Sequence, residues 1–488
     1  MRYLSTRGGE AVTSAQAIVR GIAPDGGLYV PEELPRLTYA QIRELFPLKY
    51  AQRAARIMAL LLPDFSIGEL EDICDKAYAR FDPEPAPLRV LGRTAVLELF
   101  HGPTMAFKDM ALQVLPYLMR SAAEKTGETR EIAILTATSG DMGKAALEGF
   151  SDVEGTSVTV FYPFGGVSAV QETQMLTSSG KNTHVVAVRG NFDDAQNGVK
   201  ALFVDEEFRR EMARRGRVLS SANSINLGRL VPQVAYYFSA VIDMIAMGLA
   251  DEGHPVDVCV PTGNFGNILA AWYARRMGAP IGKLICASNA NDVLTTFIST
   301  GTYDRRLPFV KTISPSMDIL ISSNLERFLW ELGGTADTRR WMDQLKKEGN
   351  YSLADDQFAY LKSRFAGGFA DDDATKREIG RVWKEHRYVL DPHTAVASAV
   401  LDGMRAGADD APVLLVSTAS PYKFGEAVCK ALDIPAPEGD AFTAADLLHA
   451  HTGLEIPAPF RLLREARARD RIVVDKEAMG KTVLGLLK

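Results

Sequence analysis

Four short segments of this 488-residue sequence combine residue types that could do chemistry. In His101-Gly102-Pro103-Thr104-Met105-Ala106-Phe107-Lys108-Asp109, one lysine sits in an apolar frame after a Gly-Pro turn. Partial burial disfavours an ammonium, so Lys108 could offer a free amine as a Schiff-base nucleophile or proton shuttle; by spacing alone the Lys-Asp pair also reads as a solvated helix start. In Leu135-Thr136-Ala137-Thr138-Ser139-Gly140-Asp141, the loop Thr138, Ser139, Gly140 and Asp141 offers hydroxyls and amides that could grip a carboxylate or simply cap the next helix. The third segment, Gly263-Asn264-Phe265-Gly266-Asn267, lies between an apolar run and a helical pattern. Two glycines three apart at a helix start let backbone N–H groups converge on a phosphate monoester, although an ordinary turn between strand and helix has the same composition. The fourth, Ser417-Thr418, puts two hydroxyls at the end of a buried strand, where one could meet a heterocyclic nitrogen. Strand alternation sends the two to opposite faces and does not say which enters a cleft.

These loops need a frame to position them, and the pattern around them supplies one. Short β-branched runs at Glu131–Ala137, Ser157–Tyr162, Thr183–Arg189, Val256–Val260, Leu284–Ala287 and Val413–Val416 alternate with amphipathic segments, as in a parallel α/β architecture. Before Leu91 the pattern is helical, at Ala40–Leu62 and Gly68–Arg80, and closes at the Pro-rich stretch Asp82–Pro87. From about 292 to 386 the chain again reads as a helical, charged layer. With 47% hydrophobic residues the chain can bury a large core, and a net charge of −6 supplies no broad attraction to nucleic acid or anionic membranes. Any anionic ligand must be held locally. The four cysteines are far apart and suit a reducing compartment; no apolar leader or membrane span is evident, so a cytoplasmic location is expected. No metal-ligand spacing emerges from the seven histidines. Two P-loop lookalikes, Gly143-Lys144-Ala145 and Gly480-Lys481-Thr482, fail because the first glycine of the motif would fall at Thr138 and Asp475.

Taken together and in order, the four motifs resemble the threonine synthases, pyridoxal-phosphate enzymes of fold type II. Further family-like stretches run almost end to end: Tyr3–Gly9, Ala23–Leu28, Ser220–Arg229, Ser314–Arg327 and Leu390–Ala395. The resemblance implies pyridoxal 5'-phosphate as cofactor, with Lys108 as the lysine that carries it covalently. It further implies that Gly263, Asn264, Phe265, Gly266 and Asn267 cradle its phosphate and that Thr418 faces its pyridine nitrogen. It implies O-phospho-L-homoserine and water as substrates and L-threonine and phosphate as products, by γ-elimination followed by hydration at the β-carbon. Thr138, Ser139, Gly140 and Asp141 would then serve the substrate carboxylate; Asn223, Ser224 and Arg229 would serve its phosphate. Ser316, Asn324 and Arg327 are further candidates that could equally be solvated or capping residues.

The implied fold has two parallel or mixed-sheet lobes with a cleft, plus an N-terminal helical domain. Residues 1–90 form that domain, 91–130 and 220–488 the larger cofactor-holding lobe with the insertion at 292–386, and 131–219 a small mobile lobe. The sequence departs from the family at Met142, where a threonine is usual, and at Ser420 and Tyr422, within a run that usually reads His-Pro-Ala-Lys-Phe; Pro421, Lys423 and Phe424 remain. Loss of one neutral hydrogen bond at 142 would weaken substrate binding by roughly 0.5–1.5 kcal/mol. Two rivals share the scaffold: a phospho-lyase releasing a keto acid, and an idle cofactor-binding regulatory protein. Oligomeric state has no signature in the sequence.

Overall fold

The computed structural model describes residues 1–138, 140–167, 169–405 and 411–487. All six β-branched runs are strands, because each is long and apolar enough to be covered on both faces. They divide between two sheets. The larger has six strands in the order Phe365–Phe369, Ile281–Ser288, Val256–Pro261, Val413–Ser417, Thr94–Glu98 and Leu88–Leu91, parallel throughout except for the last, an antiparallel edge. The smaller has five parallel strands in the order Ile472–Val474, Thr183–Val188, Thr156–Pro163, Glu131–Ala137 and Arg217–Ser220.

Two expectations are corrected. The segment 292–386 is not only helical, since Phe365–Phe369 pairs with Ile281–Ser288 as the edge of the large sheet. Nor does all of 220–488 belong with the large sheet. Ile472–Val474 hydrogen-bonds along Val186–Val188, and the helix Met479–Leu486 buries Met479 and Val483 against the small sheet's own core, with Val186, Val188 and Phe208. The apolar tail of the chain finds there the cover that the edge strand Thr183–Val188 lacks from elsewhere.

The N-terminal residues form a small antiparallel pair, Tyr3–Ser5 with Tyr29–Pro31, and the helices Ser14–Arg20, Tyr39–Arg43, Tyr50–Leu61 and Ile67–Tyr78. Of these, Tyr50–Leu61 and Ser14–Arg20 pack on the helix Leu227–Ala246, which is buried along nearly its whole length. Its single acidic residue, Asp243, pairs at 2.6 Å with the buried Arg53. Among the described residues no helix is long and apolar enough to cross a membrane.

Parallel strands send their following loops to one edge, and ligands of such sheets gather there. Here the carboxyl ends of Glu131–Ala137, Val256–Pro261 and Val413–Ser417 deliver Thr138–Asp141, Gly263–Asn267 and Thr418, and Lys108 follows the end of Thr94–Glu98. The helix Asp141–Gly149, which starts at that edge, presses Gly149 against the short helix after Lys108, where a methyl would run into the Leu112 carbonyl oxygen. Gly149→Ala is therefore expected to destabilise the chain by about 1–3 kcal/mol, read as a lower urea midpoint; an unchanged midpoint contradicts the close approach.

Candidate active site

The lysine loop is held by the strand end beside it. The Phe107 N–H donates to the Thr418 carbonyl at 2.8 Å and the Ser420 N–H to the Met105 carbonyl at 3.0 Å, so residues 105–107 run antiparallel to 418–420. Behind the loop lies the fully buried Asp109, whose carboxylate accepts the Thr104 N–H at 2.8 Å and the Thr104 hydroxyl at 2.7 Å. Burial pushes this carboxyl up to about 6, with the Thr104 bonds pulling the other way. Lys108 itself enters the cleft at the start of the helix Asp109–Leu112.

The cleft is lined by Phe107, Lys108, Asp141, Ser316, His393 and Thr418. Lys108 Nζ lies 3.2 Å from Ser316 Oγ and 3.5 Å from Asp141 Oδ2. The other oxygen, Asp141 Oδ1, lies 3.0 Å from Lys423 Nζ, which also donates to the Thr104 carbonyl at 2.9 Å. Burial lowers the Lys108 amine below its ordinary range, and Lys423 and Arg229 lower it further while Asp141 opposes them. Burial alone would raise the Asp141 carboxyl, but Lys423 and Lys108 hold it well below the usual carboxylate range. Asp141 thus meets the cleft as an anion, not as a donor to a substrate carboxylate.

Of the other residues in that loop, Thr138 is committed locally: its hydroxyl accepts the Gly140 and Gly143 N–H groups at 2.9 and 3.0 Å. Ser139 lies outside the described residues. Met142 receives the Thr136 hydroxyl on its sulfur at 3.8 Å, and the same hydroxyl donates to Asn223 Oδ1 at 2.9 Å. Ser224 lies 3.4 Å from Ser323, hydroxyl to hydroxyl.

The glycine loop sits across Ser316 from the lysine. A Cβ on Gly263 would stand 2.8 Å from the Ser316 carbonyl oxygen, so only glycine admits this approach. Asn264 accepts the Asn324 N–H at 3.0 Å, Phe265 takes a left-handed conformation, and the helix Gly266–Arg276 follows. Asn267 accepts hydroxyls from Tyr236 and Tyr237, both at 2.6 Å, while its buried amide nitrogen has no partner. The Asn324 amide nitrogen is likewise unpartnered, and Gly266 lies beside it. Arg229 is 4% exposed and donates to the Ala222 carbonyl at 3.1 Å. Its Nε is unpartnered, and among the described residues no carboxylate pairs with it; burial lowers it to about 10. Arg327, by contrast, is spent on the Tyr29 and Ile225 carbonyls and on Asn324, and holds the N-terminal strand pair in place.

The choice left open at the fourth motif resolves. Thr418 lines the cleft, whereas Ser417 turns away to within 3.1 Å of the Thr394 hydroxyl. The departures at 420 and 422 do not touch the cleft: Ser420 caps the turn Pro421–Phe424, and Tyr422 is buried with its hydroxyl on the Leu454 carbonyl. Two cleft residues escaped the sequence reading. His393 Nε2 accepts the Ser316 N–H at 3.1 Å, which fixes the proton on Nδ1, 2.8 Å from Asp391. Lys423 is the other. Both lie in stretches that carry the resemblance, Leu390–Ala395 and the run at 421–424, and that was the only signal available for them.

A family profile described as "Threonine synthase N terminus" matches residues 2–78, and one described as "Pyridoxal-phosphate dependent enzyme" matches 94–419. "Threonine synthase" of Pseudomonas aeruginosa is 40% identical over 442 residues, covering 88% of this chain and 90% of that protein. "Threonine synthase-like 1" of Pongo abelii is 40% identical over 453 residues; the alignment covers 89% of this chain but spans only 60% of that longer relative. The crystal structure of PLP-bound threonine synthase from Brucella melitensis superposes with a TM-score of 0.88 at 36% identity, covering both chains completely.

The Asp109 shift sets a pH test. Its folded value is raised, so its contribution to stability is complete below its unfolded value of about 3.9 and is lost as pH rises through about 6. Relative to Asp109→Asn, the wild-type chain is expected to lose roughly 2 kcal/mol of unfolding free energy between pH 4 and pH 7; parallel pH profiles contradict this.

Proposed function

Because this chain belongs to the threonine synthase family of pyridoxal-phosphate-dependent enzymes, we propose that it converts O-phospho-L-homoserine and water into L-threonine and phosphate. The observation that carries the reading is a buried amine, Lys108, that shares its cleft with Asp141, Ser316 and Thr418 and feels the charge of a buried guanidinium, Arg229, that has no carboxylate partner among the described residues. A lowered pKa enlarges the share of free amine at a given pH, and such a guanidinium stabilises the fold poorly unless an anion comes to it.

The residues present fit pyridoxal phosphate. The unpartnered amide of Asn267, the helix start at Gly266 and the bare Cα of Gly263 suit a phosphate ester, and Lys108 and Thr418 face the same cleft. Lys108 would hold the cofactor, residues 263–267 its ester oxygens, and Thr418 its ring nitrogen. When bound, the cofactor supplies the electron sink for proton loss at Cα and Cβ.

The chain's own residues do the rest. Arg229 supplies charge, and Asn223 and Ser224 neutral donors, to the substrate phosphate, whose bond to Cγ breaks. The N–H groups at the start of the helix Asp141–Gly149 would orient the substrate carboxylate. Once displaced by the substrate amine, Lys108 is the base at Cα and Cβ and returns protons at Cα and Cγ as water adds at Cβ. Closure of the lobe at 131–219 over the cleft would exclude water until phosphate departs.

Incubating the purified chain with phosphohomoserine and resolving threonine, phosphate and 2-oxobutanoate tests the reading. Threonine and phosphate in equal amounts are expected; oxobutanoate and ammonia in place of threonine, with phosphate still released, would show the lyase, and no phosphate release a binding protein. Lys108→Ala is expected to abolish both threonine formation and the visible absorption of the lysine-bound cofactor. Arg229→Met should keep that absorption and lose about 1.5–3 kcal/mol in kcat/KM, on the order of tenfold to a hundredfold.

A further inference from the structure

More positive than negative charge converges on Lys108. The start of the helix Asp141–Gly149 contributes Asp141, the turn Pro421–Phe424 contributes Lys423, and the helix Leu227–Ala246 contributes Arg229. The helix Pro392–Arg405 contributes His393, neutral in the tautomer fixed by Ser316 and Asp391, and Asp109 lies behind the loop with both oxygens on Thr104. Among the described residues Asp141 is therefore the one carboxylate in contact with either lysine, and it cannot satisfy two ammonium groups in a buried cleft.

The distances show how its charge is divided. Lys423 takes Oδ1 at 3.0 Å and is anchored from the other side by the Thr104 carbonyl at 2.9 Å. Lys108 has only the longer 3.5 Å approach to Oδ2, an oxygen that also accepts the Ser316 hydroxyl at 3.3 Å. The Lys423 side chain is 3% exposed, so water does little to screen its charge.

We propose that Lys423 is a positioning residue for Lys108: by binding Asp141 as its own counter-ion, it keeps that carboxylate from fixing the Lys108 side chain as an ammonium and so leaves a free amine for the cofactor aldehyde. The direct repulsion between the two lysines acts in the same direction. Lys423 comes from the large-sheet side and Asp141 from the small-sheet side, so the neutral amine exists only where the two sheets meet at this spacing. The inference rests on Lys108 being the lysine that takes up the cofactor.

The test follows covalent capture rather than turnover. The full-length chain, stripped of cofactor, is mixed with pyridoxal 5'-phosphate between pH 6 and pH 9. The rate is read by absorbance, and the site by borohydride reduction and peptide mass spectrometry. Lys423→Met is expected to move the acid limb of the rate profile up by about one pH unit, about tenfold slower at a given pH on that limb, with the alkaline plateau unchanged. Lys423→Arg should keep the wild-type limb. Asp141→Asn approaches the same claim from the other side and should move the limb to lower pH, which decides the matter should Lys423→Met not fold. An unmoved limb in Lys423→Met or in Asp141→Asn overturns the proposal, as does a Lys423→Met rate reduced equally at every pH, the mark of a merely structural lysine. A wild-type chain that forms no adduct at Lys108 overturns the functional reading and this inference with it, whereas a wild-type chain that loads normally confines any failure to Lys423.

Discussion

One buried carboxylate set between two lysines is the constraint that the cleft is built around. Asp141 begins the helix that follows the strand Glu131–Ala137 of the small sheet, and Lys108 and Lys423 come from loops beside the large sheet. A group so placed ties the two sheets together electrostatically and opposes the burial that lowers the Lys108 amine. The cost of burying these charges is met by backbone bonds. Lys423 leans on the Thr104 carbonyl, and Thr104 is in turn held by Asp109, so the lysine loop and its charge partners form one connected unit.

The glycine-loop side follows a different logic. Glycines bring the chain close, as at Gly263 against Ser316, and side-chain amides at Asn267 and Asn324 point into the fold with donors unspent. Arg229 is the single strong charge, carried by a helix whose burial leaves it no solvent in which to relax. Neutral donors and one desolvated guanidinium suit a chain of net charge −6, in which attraction at long range is absent and recognition begins on contact.

Much of this was legible before any coordinates. The β-branched runs announced six strands because buried parallel strands need continuous apolar residues, and Lys108 was marked by its motif. The edge strand Phe365–Phe369 was not legible, since two glycines interrupt its short apolar run; a Cβ on Gly367 would stand 3.1 Å from the Thr295 backbone and one on Gly368 2.6 Å from the Val400 side chain, which leaves no room for side chains. A three-residue strand at Ile472–Val474 is too short to carry a period. His393 and Lys423 were missed for a further reason. A lone histidine near a helix start and a lone lysine in a turn have nothing local to distinguish them, and their importance arises only when distant loops bring Ser316 and Asp141 against them. The choice between Ser417 and Thr418 was reduced to two by alternation and needed the sheet's neighbours to settle it.

The central claim is spatial: the amine of Lys108 and the amides of 263–267 belong to one ligand. A crystal structure of the chain grown with pyridoxal phosphate tests it most directly. The account predicts density continuous from Lys108 Nζ to the cofactor, with the ester oxygens among the N–H groups of Gly263–Asn267. A cofactor joined to Lys423 instead, or with its phosphate outside that glycine loop, would contradict it.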